Sequence, residues 1–336
     1  MFILTPETYL SLDGENVVVN KDDEILLRVP LHTLEGILYF GYKGASPSLM
    51  GACAERGVAM HFLTPNGRYL ASVSGENRGN VVLRKTQYRR SDSEDESVKI
   101  ARYMIAGKIF NSRWVLERAA RDYSMRLNVE SLKKASNALK QKLPAIVSCD
   151  NLGLLRGMEG DAAVIYFGQI DQLILNQKKD FFFKERTRRP PQDNFNALLS
   201  FAYSLLCNNC ASALESVGLD AYVGFMHRDR PGRKSLALDL MEELRSVFAD
   251  RFVLTLVNNK IVKPKGFVTK ENGAVIMSDD TKKAVLSAWQ ERKRDEITHP
   301  FLNEKVQWGL VPYIQALLLA RYLRGDLDVY PPFMWK

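Results

Sequence analysis

The chain has 336 residues, of which 46% are hydrophobic and 10% aromatic, as is typical of a globular protein of one large or two moderate domains. It shows no apolar run approaching the roughly 18–20 residues of a membrane span, no basic and apolar start like that of a signal peptide, and too few cysteines, four, for a disulfide framework. The sequence therefore predicts a cytoplasmic protein without a membrane segment.

The net charge of +8 at pH 7 is unevenly distributed along the chain. Residues 1–75 carry 5 Lys and Arg against 8 Asp and Glu, whereas residues 76–336 carry 42 against 31. A basic excess confined to one region is typical of a protein that binds nucleic acid, because neutralising phosphates releases counterions. On charge alone, a solvated surface of high isoelectric point explains the pattern equally well.

Residues 1–76 are predicted to form a small β-rich domain. Asp13-Gly14 marks one turn, and Asn66-Gly67 is a strong signal for a type I′ hairpin turn because both central residues need positive φ. A short helix is expected over Pro47–Arg56, with Gly57 as its cap. The predicted strands are Tyr9–Leu12, Asn16–Val19, Ile25–Val29 and Leu38–Phe40.

The remainder of the chain is predicted to be helical. Residues 77–92, polar and then basic, are expected to form a linker, and Ser93 with Glu96 forms a capping box that opens a long helix. Gly325 closes the last helical pattern. The predicted fold class is α+β: a small N-terminal β-rich domain (1–76) followed by a larger all-α C-terminal domain (93–336).

His227 lies in a turn-rich basic loop, residues 224–234, that leads into a predicted helix over Ser235–Arg245. Asp239 and Glu242 are three residues apart and therefore neighbours on one face of that helix, beside an apolar stripe. Carboxylates next to an apolar surface need compensation, which a divalent cation provides. Two carboxylates and an imidazole suit Mg²⁺ or Mn²⁺. Taken alone, this segment favours the plainer interpretation of solvated acids and a structural histidine.

A third acid, Glu159, lies between Gly157 and Gly160 on a predicted helix. The small residues there permit close approach of another helix or of the substrate backbone. The alternative is a solvated surface glutamate. Cys207 and Cys210 have the spacing of a metal knuckle, but no second pair completes a zinc site.

Four blocks occur in this order along the chain: Leu155–Ala163, Arg188–Ser200, Gly224–His227 and Leu236–Arg245. Together they resemble the universal CRISPR-associated integrase family, the first Cas protein (Cas1). The tail segments Glu296–Leu302 and Tyr330–Lys336 resemble its subtype I-C branch, and the resemblance runs nearly end to end. Asn194 departs from the family pattern, in which proline is expected.

The resemblance implies metal ligands at Glu159, His227 and Glu242, with Asp239 as a further acid beside the metal. Family members often carry aspartate where this chain has Glu242. The implied activity is insertion of short DNA fragments as new spacers, through attack of a 3′-hydroxyl on the phosphodiester at the repeat boundary, with endonuclease activity when water attacks instead. The implied partners are double-stranded DNA (protospacer and CRISPR repeat), a second copy of the chain in a homodimer formed by the β-rich domain, and the second adaptation protein, Cas2.

Cations near the site are expected to position DNA phosphates. Phe181–Phe183 could stack on splayed bases, although packing in the core or in a dimer interface is favoured. Two other functions stay open: a metal-dependent, structure-specific DNA repair nuclease and a non-catalytic DNA-binding scaffold. The residues predicted to bind DNA are Arg156, Arg188, Arg189, Arg228, Arg233 and Lys234.

Overall fold

The computed structural model describes residues 1–5, 7–22, 24–34, 36–64, 69–73 and 80–336. The chain forms two compact units, Met1–Gly79 and Asn80–Lys336. The predicted turn at Asn66-Gly67 and the first part of the predicted linker, 77–79, lie outside the described residues.

The first unit is rich in strands. One sheet is an antiparallel meander in the order β2-β3-β4, and the other has the order β1-β5-β6-β7, in which β5 runs parallel to both of its neighbours. The four strands predicted from sequence are confirmed. The elements are β1 (Phe2–Ile3), β2 (Tyr9–Asp13), β3 (Asn16–Lys21), β4 (Glu24–Pro30), β5 (Gly36–Phe40), α1 (Pro47–Glu55), β6 (Ala59–Leu63) and β7 (Tyr69–Val73).

Local signals account for the turns and the helix of this unit. Asp13 pairs with Asn16, so two residues connect β2 to β3. Gly14, one of these two, has a φ of +58°, which residues with a Cβ rarely adopt. Helix α1 begins at Ser46, whose hydroxyl accepts a hydrogen bond from the Leu49 amide at 3.2 Å. The predicted turn at Asp13-Gly14 and the predicted short helix from Pro47 are therefore both confirmed.

The second unit is mostly helical, as predicted, but it is not all-α. Two short antiparallel ladders, β8-β9 and β10-β11, interrupt its helices. Its elements are α2 (Val81–Asp92), α3 (Glu94–Asp122), α4 (Val129–Val147), α5 (Leu152–Phe167), α6 (Ile170–Leu173), α7 (Asn194–Ser216), α8 (Ser235–Met241), α9 (Arg251–Asn258), β8 (Phe267–Thr269), β9 (Val275–Met277), α10 (Asp279–Arg294), β10 (Glu296–Thr298), β11 (Lys305–Gln307) and α11 (Val311–Arg324).

The predicted linker is wrong for residues 81–92, which form helix α2. The reason is a tertiary contact made by Gln87, whose buried side chain donates to the carbonyls of Asp220 and Val223 at 2.8 Å each and accepts from the Asp220 amide at 2.9 Å. Its partners lie far away in the sequence, so the segment's own polar composition does not reveal them. Helix α3 then begins at Ser93, which caps the Glu96 amide as predicted.

Helix α7 is the element of the described chain that is long and apolar enough to cross a membrane by length and composition. Slightly more than half of its apolar window, 56%, is buried inside the protein, which is what the core helix of a folded domain shows. It contributes buried side chains along most of its length, including Phe195, Leu198, Ala202 and Leu206.

The predicted helix over Ser235–Arg245 is wrong in its last turn. Helix α8 ends at Met241, and a π-helical turn, Arg245–Asp250, connects it to α9. Both Glu242 and Glu243 lie at this irregularity and both are buried. They face different partners: Glu242 contacts Lys108 and Arg245, and Glu243 accepts hydrogen bonds from Tyr330 and Phe333.

Candidate metal and catalytic centre

Glu159 lies in the middle of α5 and is half-buried. The helix begins at Asn151, whose side-chain oxygen accepts a hydrogen bond from the Leu154 amide at 2.8 Å. A methyl group added at Gly157 or Gly160 would meet no atom within 4 Å, so the surface beside Glu159 is open. The small residues here therefore leave open space next to Glu159.

Glu242 reaches the same point from the end of α8. The ammonium of Lys108 lies between the two acids: it binds Glu159 Oε1 and stands 2.7 Å from Glu242 Oε2. Arg245 Nη2 contacts the other oxygen of Glu242 at 3.0 Å. Two predicted ligands are thus brought together on one cation.

Burial opposes ionisation of Glu242, but the positive charges of Arg245 and Lys108 outweigh it and lower the pKa of the carboxyl to about 2. The carboxylate is therefore ionised at neutral pH although its side chain is almost fully buried. Its Oε2 atom is buried, and the Lys108 ammonium lies 2.7 Å from it. A cation therefore already lies next to this ionised oxygen.

Asp239 organises the histidine loop. Its Oδ2 accepts hydrogen bonds from the amides of Phe225 and Met226 at 2.7 and 2.9 Å, and its Oδ1 accepts from the His227 amide at 3.0 Å. The same Oδ1 lies 2.5 Å from His227 Nδ1. With Nδ1–H donated to the carboxylate, the ring presents its Nε2 lone pair, which is the arrangement of a metal-ligating histidine.

Gly224 is required by this geometry. A Cβ at that position would lie 2.8 Å from Asp239 Oδ2 and 2.9 Å from the Ser235 backbone, closer than real Cβ atoms come. The glycine of the predicted Gly224–His227 block therefore lets the loop pack against the start of α8.

The donor chemistry fits a hard divalent cation, since it consists of carboxylate oxygens with one imidazole. Among the described residues, however, no three His, Cys, Asp or Glu side chains are grouped closely enough to hold a metal ion as they stand. Instead, the Lys108 ammonium bridges Glu159 and Glu242, and Asp239 is committed to the histidine loop. The ligand assignment stays a prediction that the fit of the donors supports.

Several buried polar groups at the site have no signal in the sequence. Lys108 and Asn111 lie on α3, far in the chain from the predicted ligands, and Asn111 Nδ2 donates to the Glu243 carbonyl at 2.7 Å. The Glu243 carboxylate accepts from the Tyr330 hydroxyl and the Phe333 amide at 2.7 and 2.6 Å, so it anchors the C-terminal tail. Only the folding of α3 and the tail onto this segment reveals these residues.

The predicted DNA-binding cations differ in their surroundings. Arg188, Arg189 and Arg228 are exposed. Arg156 instead donates from Nη2 to the Met226 carbonyl at 2.7 Å, so it supports the histidine loop. Arg233 and Lys234 are half-buried, and Lys234 Nζ donates to Asn208 Oδ1 at 3.2 Å.

The favoured interpretation of Phe181–Phe183 is confirmed for two of the three rings. Phe181 is fully buried against Phe267, and Phe183 packs between Phe167 and Phe195. These two rings belong to the core and are not available to DNA bases.

The comparison with protein families decides the affiliation. The family model described as CRISPR associated protein Cas1 matches residues 1–291. The chain belongs to the Cas1 family. Among curated relatives, a protein of Chlorobaculum tepidum is 46% identical over 336 residues, covering 100% of this chain and 98% of the relative. One from Rhodospirillum rubrum is 48% identical over 340 residues, with the same coverage. Both are named CRISPR-associated endonuclease Cas1.

Solved structures with the same fold extend over almost the whole chain. A casposase bound to an integration product superposes with a TM-score of 0.83 at 21% identity, covering 100% of this chain and 94% of that one. A Cas1 protein from Thermotoga maritima gives 0.81 at 21% identity, with 98% of each chain covered. The predicted fold class, a strand-rich region followed by a mostly helical one, is confirmed as a Cas1 fold.

Proposed function

We propose that this Cas1 chain is a divalent-metal-dependent DNA integrase and endonuclease that inserts short DNA fragments as new spacers. The observation that supports it most is the convergence of Glu159 and Glu242, from two separate helices, on one cation, while Asp239 orients His227 in the 224–234 loop. Mg²⁺ or Mn²⁺ bound by Glu159, His227 and Glu242 would polarise a phosphoryl oxygen and favour the ionised form of an attacking hydroxyl.

The chain's own residues contribute orientation and charge. Asp239 fixes the ring and the tautomer of His227, and Arg245 fixes the Glu242 carboxylate. No protein nucleophile is needed, because the 3′-hydroxyl of the incoming fragment attacks the repeat phosphodiester and displaces another 3′-hydroxyl. When water replaces that hydroxyl, the product is a DNA break. Exposed Arg228 is suited to bind a phosphate next to the site.

The proposed partners are double-stranded DNA, a second copy of the chain and Cas2. Two lines of support come from structures of the same fold: one is a casposase bound to an integration product, and another, with a TM-score of 0.81, is a Cas6-RT-Cas1–Cas2 complex. The tail segments Glu296–Leu302 and Tyr330–Lys336 support the subtype I-C branch. Sequencing the genomic neighbourhood tests that placement, since an adjacent repeat array with genes of another subtype would contradict it.

The test of the function is strand transfer by purified protein with and without Cas2. Glu159→Gln, His227→Ala and Glu242→Gln should each reduce metal-dependent strand transfer and cleavage by at least about a hundredfold, because each removes a ligand that a neutral or truncated side chain replaces poorly. DNA affinity in the absence of metal should change little. Asp161→Asn, an exposed acid on the same helix as Glu159, is the matched control and should leave activity intact.

The outcomes separate the alternative functions. Full metal-dependent activity in any two of the three variants would remove the site assignment. Cleavage of branched DNA without strand transfer into a repeat would favour a repair nuclease. DNA binding without any metal-dependent chemistry in the unmodified protein would favour the scaffold.

A further inference from the structure

Lys108 is a buried cation that lies between two carboxylates of the candidate centre. It lies in the middle of α3, and only 8% of the residue is exposed. Its ammonium binds Glu159 from α5 and lies 2.7 Å from Glu242 at the end of α8. A buried ammonium is costly unless acids compensate it, and here two acids from different helices do so.

The position of Lys108 also stabilises the two carboxylates, Glu159 and Glu242, next to each other. Without a cation between them, Glu159 and Glu242 would repel each other in a site that water reaches poorly. Arg245 compensates only Glu242, through the oxygen that Lys108 does not contact. Lys108 is therefore the group that joins the two carboxylates of the centre.

We propose that Lys108 is a stand-in cation, which holds Glu159 and Glu242 together while no metal is bound and withdraws its ammonium when a divalent ion occupies both carboxylates. This inference rests on the proposed metal ligands. It makes Lys108 a positioning residue, because it acts through the two acids and not on the substrate.

The physical reason for withdrawal is charge repulsion. An ammonium and a divalent ion sharing the same two carboxylates would repel each other strongly at low dielectric. Lysine has a flexible four-carbon stem, so its head group can move where a planar guanidinium in a fixed contact cannot. A small cavity of about 20 Å³ that Lys108 itself lines, together with Ser112, Ala163 and Tyr166, has room for a group the size of a water molecule, such as the displaced ammonium.

The experiment compares Lys108→Met with the unmodified chain in full-length protein. Methionine keeps an unbranched apolar side chain, one atom shorter than that of lysine, but removes the charge. The variant should melt at a lower temperature in EDTA, because the two carboxylates lose their shared cation. It should also bind Mn²⁺ about tenfold more tightly by calorimetry, because no ammonium has to be displaced. A merely structural lysine would lower stability without raising metal affinity.

Lys142→Met is the matched control. Lys142 also forms an ion pair with a residue of α5, Asp161, at 3.3 Å, but the Asp161 side chain is exposed and the pair includes neither Glu159 nor Glu242. Its variant should leave Mn²⁺ affinity unchanged. Equal or weaker Mn²⁺ binding by Lys108→Met, relative to the unmodified chain, would overturn the proposal.

A second measurement needs no variant and therefore covers the case in which Lys108→Met does not fold. Acylation of lysines by an amine-reactive reagent, mapped by mass spectrometry, should be slow at Lys108 in EDTA and several-fold faster in saturating Mn²⁺. An unchanged or slower rate with Mn²⁺ would contradict withdrawal. Lys142 provides the internal reference.

The failure of this inference can be distinguished from the failure of the proposed function. If Glu242→Gln binds Mn²⁺ as tightly as the unmodified chain, the ligand assignment fails and the stand-in role fails with it. If Glu242→Gln loses Mn²⁺ binding but Lys108→Met binds Mn²⁺ no more tightly than the unmodified chain, only the stand-in role fails.

Discussion

Buried carboxylates in this chain are compensated in chemically different ways. Asp239 accepts backbone amides, Glu242 faces an ammonium and a guanidinium, and Asp250 accepts hydrogen bonds from the hydroxyls of Tyr203 and Tyr166 at 2.6 and 3.0 Å. The protonation behaviour of Glu242 and Asp250 differs. The charges of Arg245 and Lys108 lower the pKa of Glu242 to about 2, whereas at Asp250 the two tyrosine hydroxyls and the charges of Arg245 and Arg186 do not offset burial, and the pKa is raised to about 6.

The raised pKa of Asp250 predicts a pH-dependent contribution to stability. Its folded value of about 6 exceeds the ordinary value of 3.8, so the folded protein binds this proton more tightly than the unfolded chain does. The contribution is therefore complete below about pH 4 and is lost as the pH rises through about 6. Asp250→Asn cannot titrate. The difference in unfolding free energy between the unmodified chain and this variant should fall by about 1.4 kcal/mol per pH unit between these limits.

Urea denaturation at several pH values between about 4.5 and 7, in EDTA, measures this difference. The exposed acid Asp161, changed to asparagine, should show a flat difference over the same range. A difference for Asp250→Asn that rises with pH would show that the carboxylate is stabilised in its ionised form.

The contacts of Asp239 predict a second effect of a single substitution, a loss of metal affinity. In Asp239→Asn the amide nitrogen cannot accept the hydrogen bonds that now reach both oxygens, so the 225–227 loop and the His227 ring lose their fixed orientation. Metal affinity, measured by calorimetry with Mn²⁺, should fall by roughly 10–100-fold. Affinity equal to that of the unmodified chain would mean that the loop is held by other contacts, such as that of Arg156 with the Met226 carbonyl.

At the scale of elements, the centre is assembled by helices that contribute no predicted ligand. Helix α3 supplies Lys108 and Asn111, and helix α2 holds the chain before His227 through Gln87 and through Ser91, whose hydroxyl donates to the Gly224 carbonyl at 2.6 Å. Glu242 and Glu243 lie between the end of α8 and the π-helical turn that follows it. The ligands are therefore positioned mainly by tertiary contacts between elements, not by the helices on which they lie.

Substitution of Gln87 tests whether this residue docks α2 against residues 220–223. In Gln87→Ala, three hydrogen bonds to residues 220–223 are lost and the backbone groups of that loop are left unpaired, so the unfolding free energy should fall by about 2–3 kcal/mol. Lys85→Ala, an exposed position on the same helix, should change it by less than about 0.5 kcal/mol. Chemical denaturation measures both. Equal effects of the two substitutions would contradict docking of α2 by Gln87.

At the scale of the whole molecule, charge is segregated along the chain. The basic excess lies in residues 76–336, which include the candidate centre, and the exposed cations Arg188, Arg189 and Arg228 belong to that part. A surface of this kind binds a polyanion mainly through phosphates. Its affinity is then governed by counterion release.

DNA affinity should therefore fall steeply with salt, with a log–log slope of about −0.9 for each phosphate contacted. Arg228→Ala should reduce the magnitude of that slope by about one contact. Arg156→Ala should leave the slope unchanged, because its guanidinium binds the Met226 carbonyl inside the protein. Fluorescence anisotropy at several salt concentrations measures all three proteins. A flat salt dependence of the unmodified chain would contradict phosphate-dominated binding.

Local sequence was sufficient for the elements whose signals are local. The strands from Tyr9 to Phe40, the cap at Ser93 and the helix stop at Gly325, with a φ of +87°, follow from β-branched runs, a hydroxyl cap and a residue that tolerates positive φ. The identity of the family also follows from sequence, because four ordered blocks are a specific pattern. These features require only residues close together in the chain.

Tertiary structure alone decided the rest. The sequence marked Glu159, His227, Asp239 and Glu242, but their differing roles depend on neighbours that come from other helices. Asp239 is committed to backbone amides, and Lys108 occupies the space between Glu159 and Glu242. The helical state of residues 81–92 depends in the same way on a contact with residues 220–223. Burial, pairing of charges and helix breaks are properties of the packed chain, and no local pattern encodes which distant residue will supply the partner.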